Sequence, residues 1–260
     1  EDVGMKDAAD LRDRALFAID VMPLLYRGHF VFMRNPRMTS GGINTSALTA
    51  FAGTLLNILE TRDPTHLVLV FDSTTPTFRH ERYPEYKAQR QKMPEDLAAS
   101  IPMALELARA LNIPTLRVDG FEADDLMGTL ADKARAADLA AYLVTPDKDI
   151  AQLVDPKVFL FHPASGPREA EILGPDEVRQ RWKIARPEQI IDLLALAGDS
   201  SDNIPGIRGV GEKTAQSLLA KYDNLDNILA HAGEMKGKLA ERVAENVAMA
   251  RLSYELVTIR

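Results

Sequence analysis

Three carboxylates stand within four residues near the middle of the chain, at Glu122, Asp124 and Asp125. They precede an apolar run with helical spacing, and a helix start explains one or two of them, because acids there favour the helix dipole and the free N–H groups. It explains three poorly, since like charges held this close repel one another. A divalent cation would remove the repulsion, because carboxylate oxygens are the ligands that Mg²⁺ and Mn²⁺ prefer. The stretch therefore indicates a helix start, a metal site or both.

Further acids follow short apolar runs of the kind that form buried strands. Residues 15–19, 66–71 and 141–145 are such runs, and 115–118 leads into the Glu122 stretch. The acids that follow the first three runs are Asp20, Asp72, Asp147 and Asp149. One acid after a strand is usually a turn or a cap. Together with the Glu122 stretch, four separate segments place acids after a strand, so the turn interpretation becomes much weaker. The pattern favours a metal site at one edge of the sheet.

The order of the elements predicts an α/β fold with a central, mostly parallel sheet flanked by helices. A further strand is expected at 158–161 and helices at 45–59, 94–111 and 188–196. In open sheets of this kind, sites form outside the carboxyl ends of the strands. We expect residues 1–14 to be a loose arm or an expression remnant, 15–175 to be the α/β core, and 176–260 to be an all-helical part.

A fifth acidic segment lies in the helical part, where Asp199 and Asp202 are three residues apart and can face the same way on a helical turn. A polar capping loop is the alternative. The segment continues into a glycine-rich stretch, 206–214, that resembles a phosphate loop but has Glu212 where that motif needs glycine before Lys213. A hairpin between helices fits better, with its N–H groups and Lys213 turned toward a nucleic-acid phosphate.

The stretch 78–92 is basic, with five Lys and Arg residues against two Glu, and it interleaves them with Tyr83 and Tyr86. A solvated loop or a surface helix would look the same. Because cations hold phosphates and rings stack on bases, the stretch also suits a strand of nucleic acid.

The composition bounds the class of protein. The chain has 260 residues, no cysteine and a formal net charge of −7. Taken whole, that charge argues against a nucleic-acid binder. Nine of the acids are candidate metal ligands, however, and without them the charge becomes +2. The absence of cysteine excludes disulfides and thiolate metal sites and fits a reducing cytoplasm. Neither an apolar signal segment nor a membrane-spanning run is evident.

Taken together, these segments resemble the 5′ nuclease (flap endonuclease) superfamily, and most of all the N-terminal 5′–3′ exonuclease domain of the bacterial DNA polymerase I family. The similarity runs in order from Asp20 to about Arg260. The segments that carry it are 19–27, 71–81, 86–90, 122–125, 145–149 and 198–215. One departure is Val21, which stands after Asp20 where the family usually has glycine.

The resemblance implies the roles of individual residues. A first divalent ion would be held by Asp20, Asp72, Glu122 and Asp124, and a second by Asp147, Asp149 and Asp202, with Asp125 and Asp199 between or behind them. The cofactors would be two, or three, Mg²⁺ or Mn²⁺ ions. A helical arch would span about 78–93, where Lys87 and Arg90 contact the scissile phosphate and Tyr86 stacks nearby. A helix-hairpin at about 199–221 would grip duplex DNA through K⁺. The DNA-binding residues would be Arg27, Arg79, Tyr86, Lys87, Arg90, Gly206, Gly209, Gly211, Lys213 and Thr214.

The implied function is divalent-metal-dependent hydrolysis of DNA at 5′ ends or 5′ flaps, in replication (primer removal) and repair, with Asp125, Lys87 and Arg90 as catalytic residues. Two alternatives stay open: an inactive structure-specific DNA-binding module, and a nucleotide hydrolase using 206–214. We expect a cytoplasmic monomer. The chain stops among apolar residues at 256–259, which suggests a cut domain, and whether a polymerase region follows Arg260 is left open.

Overall fold

The computed structural model describes residues 14–166 and 168–260. The predicted arm at 1–14 lies almost wholly outside the described residues. Contacts divide the chain into two compact units. Within the described residues, the first unit takes in the chain up to Thr75 together with 92–146 and 157–172, and the second takes in 76–91, 147–156 and 173–260. The predicted boundary between residues 175 and 176 stays a prediction.

The strands form one six-stranded sheet in the order β3-β2-β1-β4-β5-β6. Their bounds are β1 Ala15–Asp20, β2 His66–Val70, β3 Thr115–Leu116, β4 Ala140–Val144, β5 Val158–His162 and β6 Glu171–Leu173. The pairs among β1 to β5 are parallel. The predicted parallel α/β sheet is therefore confirmed, and β6 is the strand that the sequence did not predict.

Helices pack on this sheet in the first unit. They are α1 Val21–Val31, α2 Ser46–Arg62, α4 Glu95–Ala110 and α5 Ala123–Ala136. The core between them and the sheet contains Phe51, Leu55 and Leu97, each fully buried. Val21, the departure from the family pattern, begins α1 and is also fully buried.

The second unit is helical, as predicted for the C-terminal part. Its helices are α3 Phe78–Arg82, α6 Pro175–Trp182, α7 Gln189–Ala197, α8 Glu212–Tyr222, α9 Leu225–Ala230, α10 Lys238–Glu245 and α11 Val247–Val257. Two short 3-10 helices lie at Asp149–Leu153 and Ala232–Glu234. Helix α7 is the most apolar of these and packs against α8, α11 and the first 3-10 helix. No helix within the described residues is both long and apolar enough to cross a bilayer.

Candidate metal and DNA-binding sites

In the first unit, the sheet register positions Asp20. Asp20 ends β1 opposite Val70, and the residue before it pairs with Val144 of β4. Thr145 follows β4 directly, so its hydroxyl reaches across and donates to Asp20 Oδ2 at 3.1 Å. Asp20 is only 4% exposed. A carboxylate this well buried needs compensation by hydrogen bonds or by a cation.

The other acids of this unit gather at the start of α5. Glu122 is the N-cap, and its N–H donates to Asp125 Oδ2 at 3.2 Å in a capping box. The N–H of Ala123 donates to Asp72 Oδ1 at 2.9 Å, which brings the acid after β2 to the same helix end. The helix-start interpretation is thereby confirmed for Glu122 and Asp125. Metal binding by these acids and by Asp124, which is half-buried, stays a prediction.

In the second unit, Asp147 and Asp149 lie at the start of the first 3-10 helix. The N–H of Asp149 donates to Asp147 Oδ1 at 3.0 Å. Burial raises the pKa of Asp147 and raises that of Asp149 well above its ordinary value, and the negative charges of Asp199 and Asp202 act in the same direction. Oδ1 of Asp149 is buried and accepts no hydrogen bond from the described residues. A divalent cation would satisfy this oxygen and remove the repulsion, so the donor set fits one.

Asp199 and Asp202 lie in a tight turn between α7 and α8. Asp199 and Ile204 exchange two backbone hydrogen bonds, of 2.9 and 2.8 Å, which close the turn. Cations balance both acids: Lys148 Nζ lies 3.0 Å from Asp199 Oδ2, and Lys87 Nζ lies 3.4 Å from Asp202 Oδ2. Burial would raise the pKa of Asp202, but Lys87 and Arg90 outweigh it and lower the pKa.

Across residues 14–166 and 168–260, no three Asp, Glu or His side chains converge closely enough to hold an ion as they stand. In the second unit, Lys87 and Arg90 form ion pairs with Asp202, and Lys148 forms one with Asp199. The lysine between Asp147 and Asp149 was assigned no role from sequence. Its ion pair is with Asp199, far along the chain, so no local signal in the sequence indicated it.

Asp149→Asn should stabilise the metal-free protein at pH 7, because burial raises the pKa of the Asp149 carboxyl group well above its ordinary value and the amide carries no charge. A carboxyl group whose pKa is raised by folding stabilises the folded state most at a pH below its unfolded pKa of about 3.9. That stabilisation is lost as the pH rises through the folded pKa. Urea unfolding in chelator between pH 4 and 8 measures the difference. The exposed acid Glu234 supplies the control, Glu234→Gln; a wild-type curve parallel to that of Asp149→Asn would contradict the prediction.

The basic segment is helical only in α3, and 84–89 forms turns. Its end lies against the Asp199 turn within the second unit. Arg90 Nη2 donates to Asp202 Oδ1 at 2.5 Å, the N–H of Lys87 donates to the carbonyl of Asp202 at 2.9 Å, and Gln89 donates to the carbonyl of Ser200 at 2.7 Å. Lys87 adopts a left-handed backbone conformation, with φ of 56°. Such a conformation in a non-glycine residue costs about 1 kcal/mol or more and persists only where its surroundings impose it.

Two residues of this segment are not placed as the resemblance implies. Tyr86 is 3% exposed, and its hydroxyl donates to Asp202 Oδ2 at 2.9 Å, so its ring offers no face to a base in this structure. Arg79 is also 3% exposed, and its guanidinium donates to the carbonyls of Leu256 and Thr258 at 2.7 and 3.1 Å. In this structure the Arg79 side chain ties α3 to the end of α11, and its contact with DNA stays a prediction.

The glycine-rich hairpin divides into a buried and an exposed half. The N–H of Gly206 donates to Ser253 Oγ at 3.0 Å and both residues are buried in this structure, and the contact of Gly206 with DNA stays a prediction. Gly209, Gly211 and Lys213 are exposed and Thr214 is half-buried. Their contact with DNA stays a prediction. So does that of Arg27, whose guanidinium donates to Thr54 Oγ1 at 2.9 Å.

Gly206→Ala should destabilise the protein by about 3 kcal/mol, since overpacking costs roughly 1–3 kcal/mol and strained backbone adds to it. A Cβ at this position would lie 2.3 Å from the nitrogen of Gly198, and φ is +61°. Gly233→Ala is the control, because a Cβ there meets nothing within 4 Å. Thermal unfolding of both variants measures the difference, and equal midpoints would show that the close approach is not required.

Comparison with protein families identifies the chain. The model of the 5′-3′ exonuclease N-terminal resolvase-like domain matches residues 15–183, and that of the 5′-3′ exonuclease C-terminal SAM fold matches 185–260. The chain belongs to the 5′-3′ exonuclease family. The expectation of a 5′ nuclease, and of its resemblance to the exonuclease part of DNA polymerase I, is confirmed at this level.

Curated relatives extend the comparison with this 5′-3′ exonuclease family member. DNA polymerase I of Bacillus caldotenax is 39% identical over 250 residues, which are 95% of this chain and 28% of that protein. DNA polymerase I of Treponema pallidum is 40% identical over 247 residues, which are 95% of this chain and 25% of that protein. The chain thus spans about a quarter of the length of these relatives.

A solved structure with the same fold is that of the bacteriophage T5 flap endonuclease, in a pseudo-enzyme-product complex with DNA and metal ions. Its TM-score against this chain is 0.77 at 21% identity, and the match covers 94% of this chain and 89% of that one. The likeness confirms the predicted α/β fold with a helical C-terminal region.

Proposed function

We propose that this 5′-3′ exonuclease family member hydrolyses DNA phosphodiester bonds at 5′ ends and 5′ flaps in a divalent-metal-dependent reaction. The observation that carries the proposal is the set of four mutually repelling acids in the second unit, three of them buried, together with Lys87 and Arg90 on the basic segment. Lys87, Arg90 and Lys148 offset part of this repulsion, and a bound divalent cation would offset more of it. The named substrates and ions of the relatives support the same assignment.

The residues that would hold the ions are those predicted from sequence. Asp20, Asp72, Glu122 and Asp124 would hold one Mg²⁺ or Mn²⁺ ion, and Asp147, Asp149 and Asp202 another, with Asp125 and Asp199 supporting them. Bound divalent ions would activate a water molecule and stabilise the attacking and leaving oxygens. The count of two ions and a K⁺ ion at the hairpin are parts of this proposal.

The chain's own cations would bind and position the DNA. Lys87 and Arg90 now neutralise Asp202, and an ion at that carboxylate would free them for the scissile phosphate. Positive groups aimed at a phosphate stabilise the charge that develops on it in the transition state. Lys213, exposed at the start of α8, would hold duplex backbone together with the adjacent N–H groups.

The native context is also proposed. The relatives are named DNA polymerase I and are about four times as long as the match, so we place this chain in a longer polymerase that removes primers in replication and acts in repair. Its location would be the cytoplasm, where that DNA is, and it would act as a monomer.

The test is cleavage of a 5′-labelled flap DNA with Mg²⁺ and with chelator. Metal-dependent cutting near the junction is expected. A flap whose 5′ end is blocked by a bulky group distinguishes an enzyme that needs a free end from one that does not. Chelator-insensitive binding of the same DNA without any cutting would instead support the inactive binding module. ATP hydrolysis without DNA cleavage would support the nucleotide hydrolase.

A further inference from the structure

A cavity of about 460 Å³ lies in the second unit, where the first turns of α7 and α9 meet α11. Its lining includes Arg186, Glu188, Asp192, Asp226, Arg251 and Tyr254. None of the residues assigned above to metal or DNA lines it. Its volume is in the range of small-ligand sites, about 300–1,000 Å³. The lining contains both acidic and basic side chains, and the ion pairs among them determine which charge on a ligand it favours.

Both arginines of the lining are already engaged. Arg186 donates to both carboxylate oxygens of Asp223, at 2.5 and 3.2 Å, in the two-point geometry that makes such pairs strong. Arg251 Nη1 lies 3.0 Å from Asp226 Oδ1. Within the described residues, neither Asp192 nor Glu188 forms an ion pair with an arginine of the lining. Their negative charges can therefore act on a ligand in the cavity. An anion entering the cavity would meet that charge.

Asp192 is the central acid of the lining. It is 7% exposed, and Oδ1 accepts the N–H of Leu225 at 2.9 Å. Within the described residues, no donor reaches its second carboxylate oxygen. Burial raises the pKa of this carboxyl group, and the positive charge of Arg186 does not offset the rise, so a nearer positive charge would stabilise the carboxylate. A cation placed beside the second oxygen would supply both a hydrogen bond and that charge.

Apolar and aromatic groups surround this acid. Ile191 and Leu225 line the cavity and offer contacts for methylene groups. Tyr254, 39% exposed, adds an aromatic ring to the lining, and the face of such a ring attracts an ammonium group by about 0.5–1 kcal/mol at exposed sites. This combination of carboxylates, an aromatic ring and apolar walls suits a ligand with a positively charged head group on an aliphatic chain. It suits a hydrated metal ion less well, because such an ion needs more oxygen ligands.

We propose that this cavity is a binding site for a primary ammonium group on an aliphatic chain. Asp192 binds the ammonium through its second oxygen, Glu188 adds a second carboxylate, and Tyr254 packs on the stem. Two sources present this chemistry: a free polyamine, and the lysine side chain of another polypeptide segment. None of the proposed nuclease residues lines the cavity, so this proposal does not depend on the proposed function.

The first experiment titrates the protein with n-butylammonium chloride at constant ionic strength and follows tyrosine and backbone NMR shifts. Saturable binding with shifts at Tyr254 and Leu225 is expected. Asp192→Asn should weaken it at least tenfold, because the amide keeps the acceptor for Leu225 and loses the charge. The matched control is Glu234→Gln, which removes the same charge from an exposed position and should change the affinity less than twofold. Equal weakening in both variants would overturn the proposal, as would the absence of saturable binding.

A second set of variants keeps the test decisive if Asp192→Asn fails to fold. Glu188→Gln and Tyr254→Leu should each weaken butylammonium binding about threefold, and unchanged affinity in both would overturn the proposal. The affinities of spermidine and N-acetyl-lysine amide distinguish the two sources. Tighter binding of spermidine indicates a polyamine, and tighter binding of N-acetyl-lysine amide indicates a lysine side chain. Titration with inorganic phosphate tests the opposite charge: saturable phosphate binding that Arg251→Gln removes would also overturn the proposal.

Discussion

Asp125→Asn is expected to reduce cleavage of the 5′ flap about 1,000-fold while folding and DNA binding are retained. A metal ion contributes several kcal/mol of transition-state stabilisation, and each 1.4 kcal/mol is about tenfold in rate. Asp125 is 1% exposed and accepts the N–H of Glu122 in the capping box of α5. Asparagine keeps that acceptor and removes only the charge, so the helix start should survive.

The measurements for Asp125→Asn are single-turnover cleavage in Mg²⁺, DNA affinity in Ca²⁺, and the thermal midpoint. Asp132→Asn on the same helix is the control, because Asp132 is exposed and pairs with Arg135 at the surface. It should cleave at the wild-type rate. A midpoint that falls by many degrees in Asp125→Asn, with cleavage lost in proportion, would show that the acid serves only to cap the helix.

Lys87→Ala should slow cleavage on the order of 100-fold, the cost of removing one group that stabilises developing charge. Binding of the flap should change less than about threefold, because one of many phosphate contacts is lost. Lys87 Nζ is 3.4 Å from Asp202 Oδ2 in the metal-free protein. The amine is therefore held beside one of the proposed metal ligands before any substrate arrives.

The left-handed backbone at Lys87 allows a sharp control. Alanine keeps the strain of φ 56°, whereas Lys87→Gly removes it along with the amine, since glycine adopts this conformation freely. Equal losses of rate in the two variants would assign the effect to the amine. Recovery of activity in the glycine variant, or losses of binding as large as those of rate, would show that the residue does not act on the transition state.

The strands and the acids that follow them could be predicted from sequence because their signal is local. An apolar run such as 66–71 and the aspartate after it are adjacent in the chain, and the parallel sheet then aligns Asp20 with the segments of its neighbours. The start of α5 was predictable for the same reason, since capping by Glu122 and Asp125 needs only four residues. The ambiguity between a cap and a metal ligand arose because both uses favour the same acids.

Side chains whose partners are distant in sequence could not be placed. Arg79 looked like a DNA contact because it stands in a basic stretch, but its acceptors lie at the end of α11, more than 170 positions later. Tyr86 likewise bonds to Asp202, 116 positions away. Gly206 was expected to face a phosphate, yet the close approach of Gly198 and the hydroxyl of Ser253 determine its conformation.

The side chain of Gln152 joins the last residues of the chain to Asp149. Gln152 donates to the carbonyls of Asp149 and Val257, at 2.9 Å in both cases, and accepts the N–H of Ile259 at 3.0 Å. Tension applied along residues 257–259 would therefore reach the backbone of Asp149 through this amide group. Gln152 would therefore couple the end of α11 to Asp149. A force on the end of α11 would shift the position of Asp149, which is a proposed metal ligand.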